Sequence, residues 1–269
     1  MFLWKKQMKI LNKTAYEPIG YCIYCFSSDS LSREHILPIG LDGTATLPAS
    51  TCPNCAKITG KIEQKVLRGY LWPVRVYRNL RSRTKHKDAP KKYPVCIEKN
   101  GIKKQIEVPI EELPILLHFP IFEPPRYLNP NGYERGINVI GLATISFGLT
   151  PAEAAQNLGA QNIELTQRQE PFAFAIMLAK IAYAFAAAER KLDLIDGQSF
   201  VVPAIRGQQD DIGKWVGTVT QTSKKHTGLI HRLLIHQDIE RGLLIGEVHL
   251  FSDSETPSYG VILGRLKNQ

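Results

Sequence analysis

Apolar and polar positions follow three patterns along the chain. Over residues 56–71, Ile58, Ile62, Val66 and Leu67 recur at steps of three or four, and Lys57, Lys61, Lys65 and Arg68 take the other faces. That spacing predicts an amphipathic helix. Residues 172–192 are apolar on most faces, which predicts a long helix at the centre of a core. Its apolar run is cut by Lys180, so it reads as a buried Ala-rich helix and not as a membrane span. Beyond it, β-branched and apolar runs at 199–202, 214–219, 228–236, 243–251 and 259–266 alternate with turn residues and predict an antiparallel sheet. Val74 and Val76 suggest a further strand, and Thr150-Pro151-Ala152-Glu153 reads as a helix start. The fold class expected is α+β, with the helix of 172–192 packed on a mostly antiparallel sheet.

Charge divides the chain. The 269 residues carry a net charge of +9, with 43% hydrophobic and 22% charged residues, the balance of a core-forming chain. Residues 57–105 hold 15 basic side chains against Glu63, Asp88 and Glu98, whereas residues 106–269 hold 14 basic and 18 acidic ones. A positive excess so concentrated is the footprint of a phosphate-backbone binder, although a solvated lysine-rich loop gives the same count. A Pro-rich stretch from Pro109 to Pro130 follows and suggests a boundary. The expected organisation is a module over 1–71, a basic extension over 72–105 and an α+β domain over 106–269.

Cys22-Ile-Tyr-Cys25 and Cys52-Pro-Asn-Cys55 are two C-x-x-C pairs separated by 26 residues. Each tight turn delivers two thiolates, and four thiolates suit one tetrahedral Zn²⁺ with no open position, hence a structural ion. Neither pair opens a helix after a strand in thioredoxin fashion, so a redox role is disfavoured. Cys96 stands apart and reads as a small buried hydrophobe. No apolar segment follows Lys5, Lys6 and Lys9, so no secretory signal is expected, and a cytoplasmic, reducing setting is.

Between the pairs lies Arg33-Glu34-His35-Ile36-Leu37-Pro38, then Gly43. With Cys22-x-x-Cys25 before it and Cys52-x-x-Cys55 running into a basic helix, this stretch resembles the HNH (ββα-metal) endonucleases that carry a four-cysteine zinc knuckle. The resemblance covers roughly residues 20–70. It implies a DNA endonuclease that hydrolyses phosphodiester bonds, leaving 5′-phosphate and 3′-hydroxyl ends. His35 would be the general base and Glu34 a ligand of a catalytic Mg²⁺ or Mn²⁺. The family's helix ligand follows the last cysteine, where this chain has Ala56. Thr46, Ser50, Thr51, Asn54, Thr59 or Glu63 could substitute; Glu63, two turns further on, is the attractive one, although it could simply pair with Lys57 or Lys61.

The candidate DNA contacts are Arg33, Lys57, Lys61, Lys65 and Arg68 in the module, and Arg75, Arg78, Arg81 and Arg83 in the extension. His226, His231, His236 and His249 fall among expected strands, where structural roles predominate. Two rival readings stay open: a zinc module that binds nucleic acid without cutting it, and a subunit that meets a protein partner or a second copy through its acidic C-terminal part.

Overall fold

The computed structural model describes residues 9–10, 15–81, 92–129, 135–164, 169–220 and 228–267. The first part contains β1 (Lys9–Ile10), β2 (Ser32–His35), β3 (Thr46–Thr51), α1 (Pro53–Arg68) and α2 (Trp72–Tyr77). Next come β4 (Lys92–Lys99), β5 (Ile102–Pro109), β6 (Pro114–Phe122), β7 (Val139–Gly148), α3 (Pro151–Asn157) and β8 (Asn162–Glu164). The chain ends with α4 (Pro171–Ala188), α5 (Val202–Ile205), β9 (Val216–Thr220), β10 (His231–Asp238), β11 (Leu243–Leu250) and β12 (Ser258–Arg265). Helices mix with antiparallel sheets, as an α+β chain requires.

The largest sheet has five strands in the order β1-β10-β11-β12-β9, all antiparallel. Helix α4 lies on it, and every α4 residue from Ala173 to Ala188 is buried. Gly246 makes that approach possible: a Cβ there would stand 2.6 Å from Ala182 Cβ. By length and composition α4 could cross a membrane, yet here it is the axis of the core. Helix α1 packs along α4 on its other side, so one buried cluster runs from Cys22 through α4 to Leu263. Edge contacts extend that cluster, with Tyr70 and Tyr259 each 5.3 Å from the Phe174 ring centroid.

Several local expectations changed. Residues 72–77 form a helix and not a strand, because Pro73 sits in its first turn with φ already suited to helix, and Val74 and Arg75 share the buried side. Residues 199–201 form no strand and lead into α5, which begins at Val202 with a proline, Pro203, in its first turn. Within the Pro-rich stretch runs β6, and its Ile115, Leu117 and Phe119 are core residues. Cys96 is half-buried on β4, between Gln105 and Glu164. The Thr150 start holds as a full capping box, with Thr150 Oγ1 accepting from Glu153 N at 3.2 Å and Thr150 N donating to Glu153 Oε2 at 2.8 Å.

At the edge of the core, Phe251 N donates to His231 Nδ1 at 3.1 Å, and burial holds the His231 pKa down to about 4 from the usual 6.5. A histidine kept neutral in the fold takes up a proton more readily when unfolded. Stability is therefore full above about pH 6.5 and declines as pH falls towards 4. Urea unfolding across that window should show the decline, and His231→Gln should flatten it. An unchanged slope in the variant assigns the pH dependence to other groups.

Candidate metal centre and acid-histidine site

The first cysteine pair is shaped by backbone bonds: Cys22 N donates to Ser27 O at 2.7 Å and Phe26 N to Cys22 O at 2.8 Å. Phe26 adopts a left-handed φ of 63° to close the turn. Ile23 N donates to Ser50 O at 2.9 Å, which lays this turn beside β3. The second pair is carried by the start of α1, where Cys52 is the N-cap residue and Pro53 opens the helix. The four sulfurs lie within 4.8 Å of one another, with Cys25 Sγ and Cys52 Sγ 3.6 Å apart. Tetrahedral zinc with bonds of about 2.3 Å needs sulfurs about 3.8 Å apart, so the four thiols fit one ion.

Burial raises the Cys22 and Cys55 thiol pKa values. Cys52 also pays a burial cost, but the Cys55 backbone N–H and the neighbouring sulfurs pull it down to about 7. Bound zinc would deprotonate all four. Among the described residues no other group of three or more His, Cys, Asp or Glu side chains is close enough to hold a metal. His236 Nε2 instead meets Glu247 Oε2 at 3.1 Å, and His249 Nε2 meets Thr256 Oγ1 at 2.9 Å. His226 lies outside the described residues.

The acid-histidine element sits on β2, which pairs with β3 through Ser32↔Thr51, Glu34↔Leu47 and His35↔Thr46. The register shifts between Ser32 and Glu34, and Ala49 opposite takes a left-handed φ of 45°. Glu34 is buried within this irregularity, only 6% exposed, and His35 is half-buried. Thr51 Oγ1 donates to Glu34 Oε2 at 2.6 Å.

The partner of Glu34 comes from the far side of the chain. Lys180 Nζ stands 2.5 Å from Glu34 Oε1 and 3.0 Å from Glu63 Oε1, and it donates to the His35 carbonyl oxygen. The Lys180 side chain is 2% exposed. Burial alone would lower its pKa; the two carboxylates more than offset this and hold the ammonium charged above its ordinary range. The same carboxylates and full burial raise the neighbouring Tyr24 phenol. Glu63 reaches the cluster because it continues the buried stripe of α1, eight residues after Cys55 and four after Thr59.

Glu34 and Glu63 therefore do meet, but around an ammonium. The fit to a divalent ion fails on the donor set. Glu34 has both oxygens engaged, Ala56 offers no donor, and Thr59 and Ser50 hydroxyls donate to Cys55 O at 3.1 Å and Leu47 O at 2.6 Å. Glu34 and Glu63, expected as Mg²⁺ or Mn²⁺ ligands, here face the Lys180 ammonium instead. Sequence reasoning passed over Lys180 as a site residue. The available signal was a lone charge inside an apolar helix, which must find a partner when buried.

The basic extension also changes character. Arg75 is 5% exposed, with Nε donating to Gly40 O at 2.6 Å and Nη1 to Leu67 O at 2.7 Å. Arg78 forms a two-pronged pair with Asp253, Nη1 to Oδ1 at 3.0 Å, and lies over the Phe147 and Phe251 rings. Arg81 Nε is 3.1 Å from Asp42 Oδ1 at the surface. Arg75 and Arg78 are thus internal staples and not phosphate contacts, because their donors are spent within the fold. Arg83 lies outside the described residues. Arg33, Lys57, Lys61, Lys65 and Arg68 are all exposed. Beside the first cysteine pair, exposed Tyr21 and Phe26 stack with ring centroids 5.9 Å apart.

No protein-family model, no curated protein and no solved structure matches this chain.

Purified without chelator, the chain should carry one zinc. Cys52→Ser should lower zinc content and destabilise the fold by several kcal/mol, since metal binding to such a site is coupled to folding. Metal analysis and thermal unfolding read both quantities; zinc-free, fully stable wild type would refute the assignment.

Proposed function

We propose that this chain is a DNA endonuclease whose zinc-held strand-strand-helix unit hydrolyses phosphodiester bonds, with His35 as the general base. The observation that carries the reading is the junction of three features in one unit. The four cysteine sulfurs gather at its base, the acid-His-Ile-x-Pro element enters on β2, and α1 leaves with exposed Lys57, Lys61 and Lys65. A neutral imidazole near pH 7 is suited to taking a proton from the attacking water. Exposed lysines hold phosphates in register without reading sequence. The resemblance implies Mg²⁺ or Mn²⁺ as the ion that would stabilise charge on the phosphate.

A second reading, binding without cleavage, is favoured by the Lys180 ion cluster together with Ala56, which leave the family's metal position without free donors. A plasmid assay with Mg²⁺ and Mn²⁺ separates the two. On the first reading wild type nicks or linearises plasmid, and His35→Ala lowers the rate by about 10²–10⁴-fold while zinc content and DNA affinity stay unchanged. DNA binding with no cleavage under either metal selects the second.

Either way, affinity should fall steeply with salt. Lys57→Gln, Lys61→Gln and Lys65→Gln together should reduce the salt slope by about two to three, as expected for three lost phosphate contacts. An unchanged slope in the triple variant would move the DNA surface away from α1.

A further inference from the structure

The resembled family places a divalent ion against the acidic residue of its acid-histidine pair, and this chain places a lysine there. We propose that Lys180 is the resident cation of the Glu34–Glu63 site, a built-in ammonium standing where a divalent ion would otherwise sit.

Three oxygens from three separate positions converge on Lys180 Nζ: Glu34 Oε1 at 2.5 Å, Glu63 Oε1 at 3.0 Å and the His35 carbonyl. An ammonium has three N–H donors, and this arrangement offers three acceptors. The remaining oxygen of Glu34 is committed to Thr51 Oγ1 at 2.6 Å. A Mg²⁺ ion taking the same oxygens needs contacts of about 2.0–2.1 Å, so it would stand almost in contact with the ammonium. At that separation two positive charges in a buried site repel strongly. Lys180 cannot readily swing aside, because it arises from the interior of α4, with buried Ala179 and Ile181 on either side. Its side chain is 2% exposed, so leaving the site would mean moving a charge through core.

The arrangement also differs from an ordinary surface ion pair in what it joins. Glu34 and the His35 carbonyl belong to β2, Glu63 to α1 and Lys180 to α4. One ammonium thus performs the bridging that a metal performs in a site of this shape, holding strand to helix. Lys180 is a positioning residue for the strand that bears His35, with its side chain buried from solvent.

Mn²⁺ binding to the zinc-loaded full chain, followed by electron paramagnetic resonance, tests this without reading cleavage. A failure of the endonuclease reading would leave the result unaffected. Wild type and Glu63→Gln should bind the same amount of Mn²⁺, because Glu63 serves an ammonium. Lys180→Met should free the two carboxylates and gain one Mn²⁺ per chain, and Lys180→Met with Glu63→Gln should lose it again. Loss of a bound Mn²⁺ in Glu63→Gln or Glu34→Gln on the wild-type background would overturn the proposal, as would a folded Lys180→Met that gains no ion. If Lys180→Met does not fold, the comparison of wild type with Glu63→Gln decides alone.

Discussion

The whole arrangement depends on burying one ammonium. An isolated charge in the middle of an apolar helix is so unfavourable that the surrounding chain must supply compensation, and Lys180 receives it from β2 and α1. This fixes how the N-terminal strands and helix meet α4, and it does so with directional contacts that apolar packing alone would lack. The remaining contacts across the same junction follow its geometry. Tyr183, three residues on, donates its hydroxyl to Ile23 O at 2.5 Å, and its ring lies 5.7 Å from Tyr24. Tyr16 donates to Glu189 at 2.9 Å at the end of the helix. The cysteine cluster and the core helix are therefore parts of one packed body, joined chiefly through residues that sequence alone presents as unrelated.

The arginines of residues 72–81 follow a similar logic. Net charge suggested a surface stripe, but three of those guanidinium groups find partners within the fold. Arg75 caps the carbonyls of Gly40 and Leu67, and Arg78 clamps Asp253 while covering two aromatic rings. Arginine suits such work because its planar fork makes several bonds at once and is more weakly hydrated than an ammonium. Exposed basic side chains among the described residues include Arg33, those along α1, and Arg81, whose partner Asp42 is itself at the surface. A count of charges cannot make that distinction, since it depends on which side chains the tertiary fold turns inward.

What the sequence made legible was local. The C-x-x-C turns, the amphipathic α1, the apolar α4 and the last four strands each depend on spacing within a short window, and each is present. A misreading arose where a proline overruled a two-residue alternation, as at Pro73, and β6 in the proline-rich stretch was not foreseen. The partners of Lys180 lie more than a hundred residues upstream, and many acidic residues could have served. Periodicity places Lys180 inside and says nothing about which carboxylate answers it. Glu63 shows the same limit: its position on α1 fitted a surface pair with Lys57 or Lys61 as well as an inward contact.

This bears on how the acid-histidine element must be read. Adjacent residues in it serve one buried cation in different ways: Glu34 neutralises the lysine with its side chain, while His35 lends it a backbone carbonyl. Removing Glu34 leaves Lys180 facing Glu63 and a carbonyl alone, and truncating one member of a buried pair commonly costs about 3–5 kcal/mol. Loss of activity in a Glu34 variant would therefore follow from a displaced β2 as readily as from a lost metal ligand. Only a property of the site itself, such as metal occupancy, separates those causes.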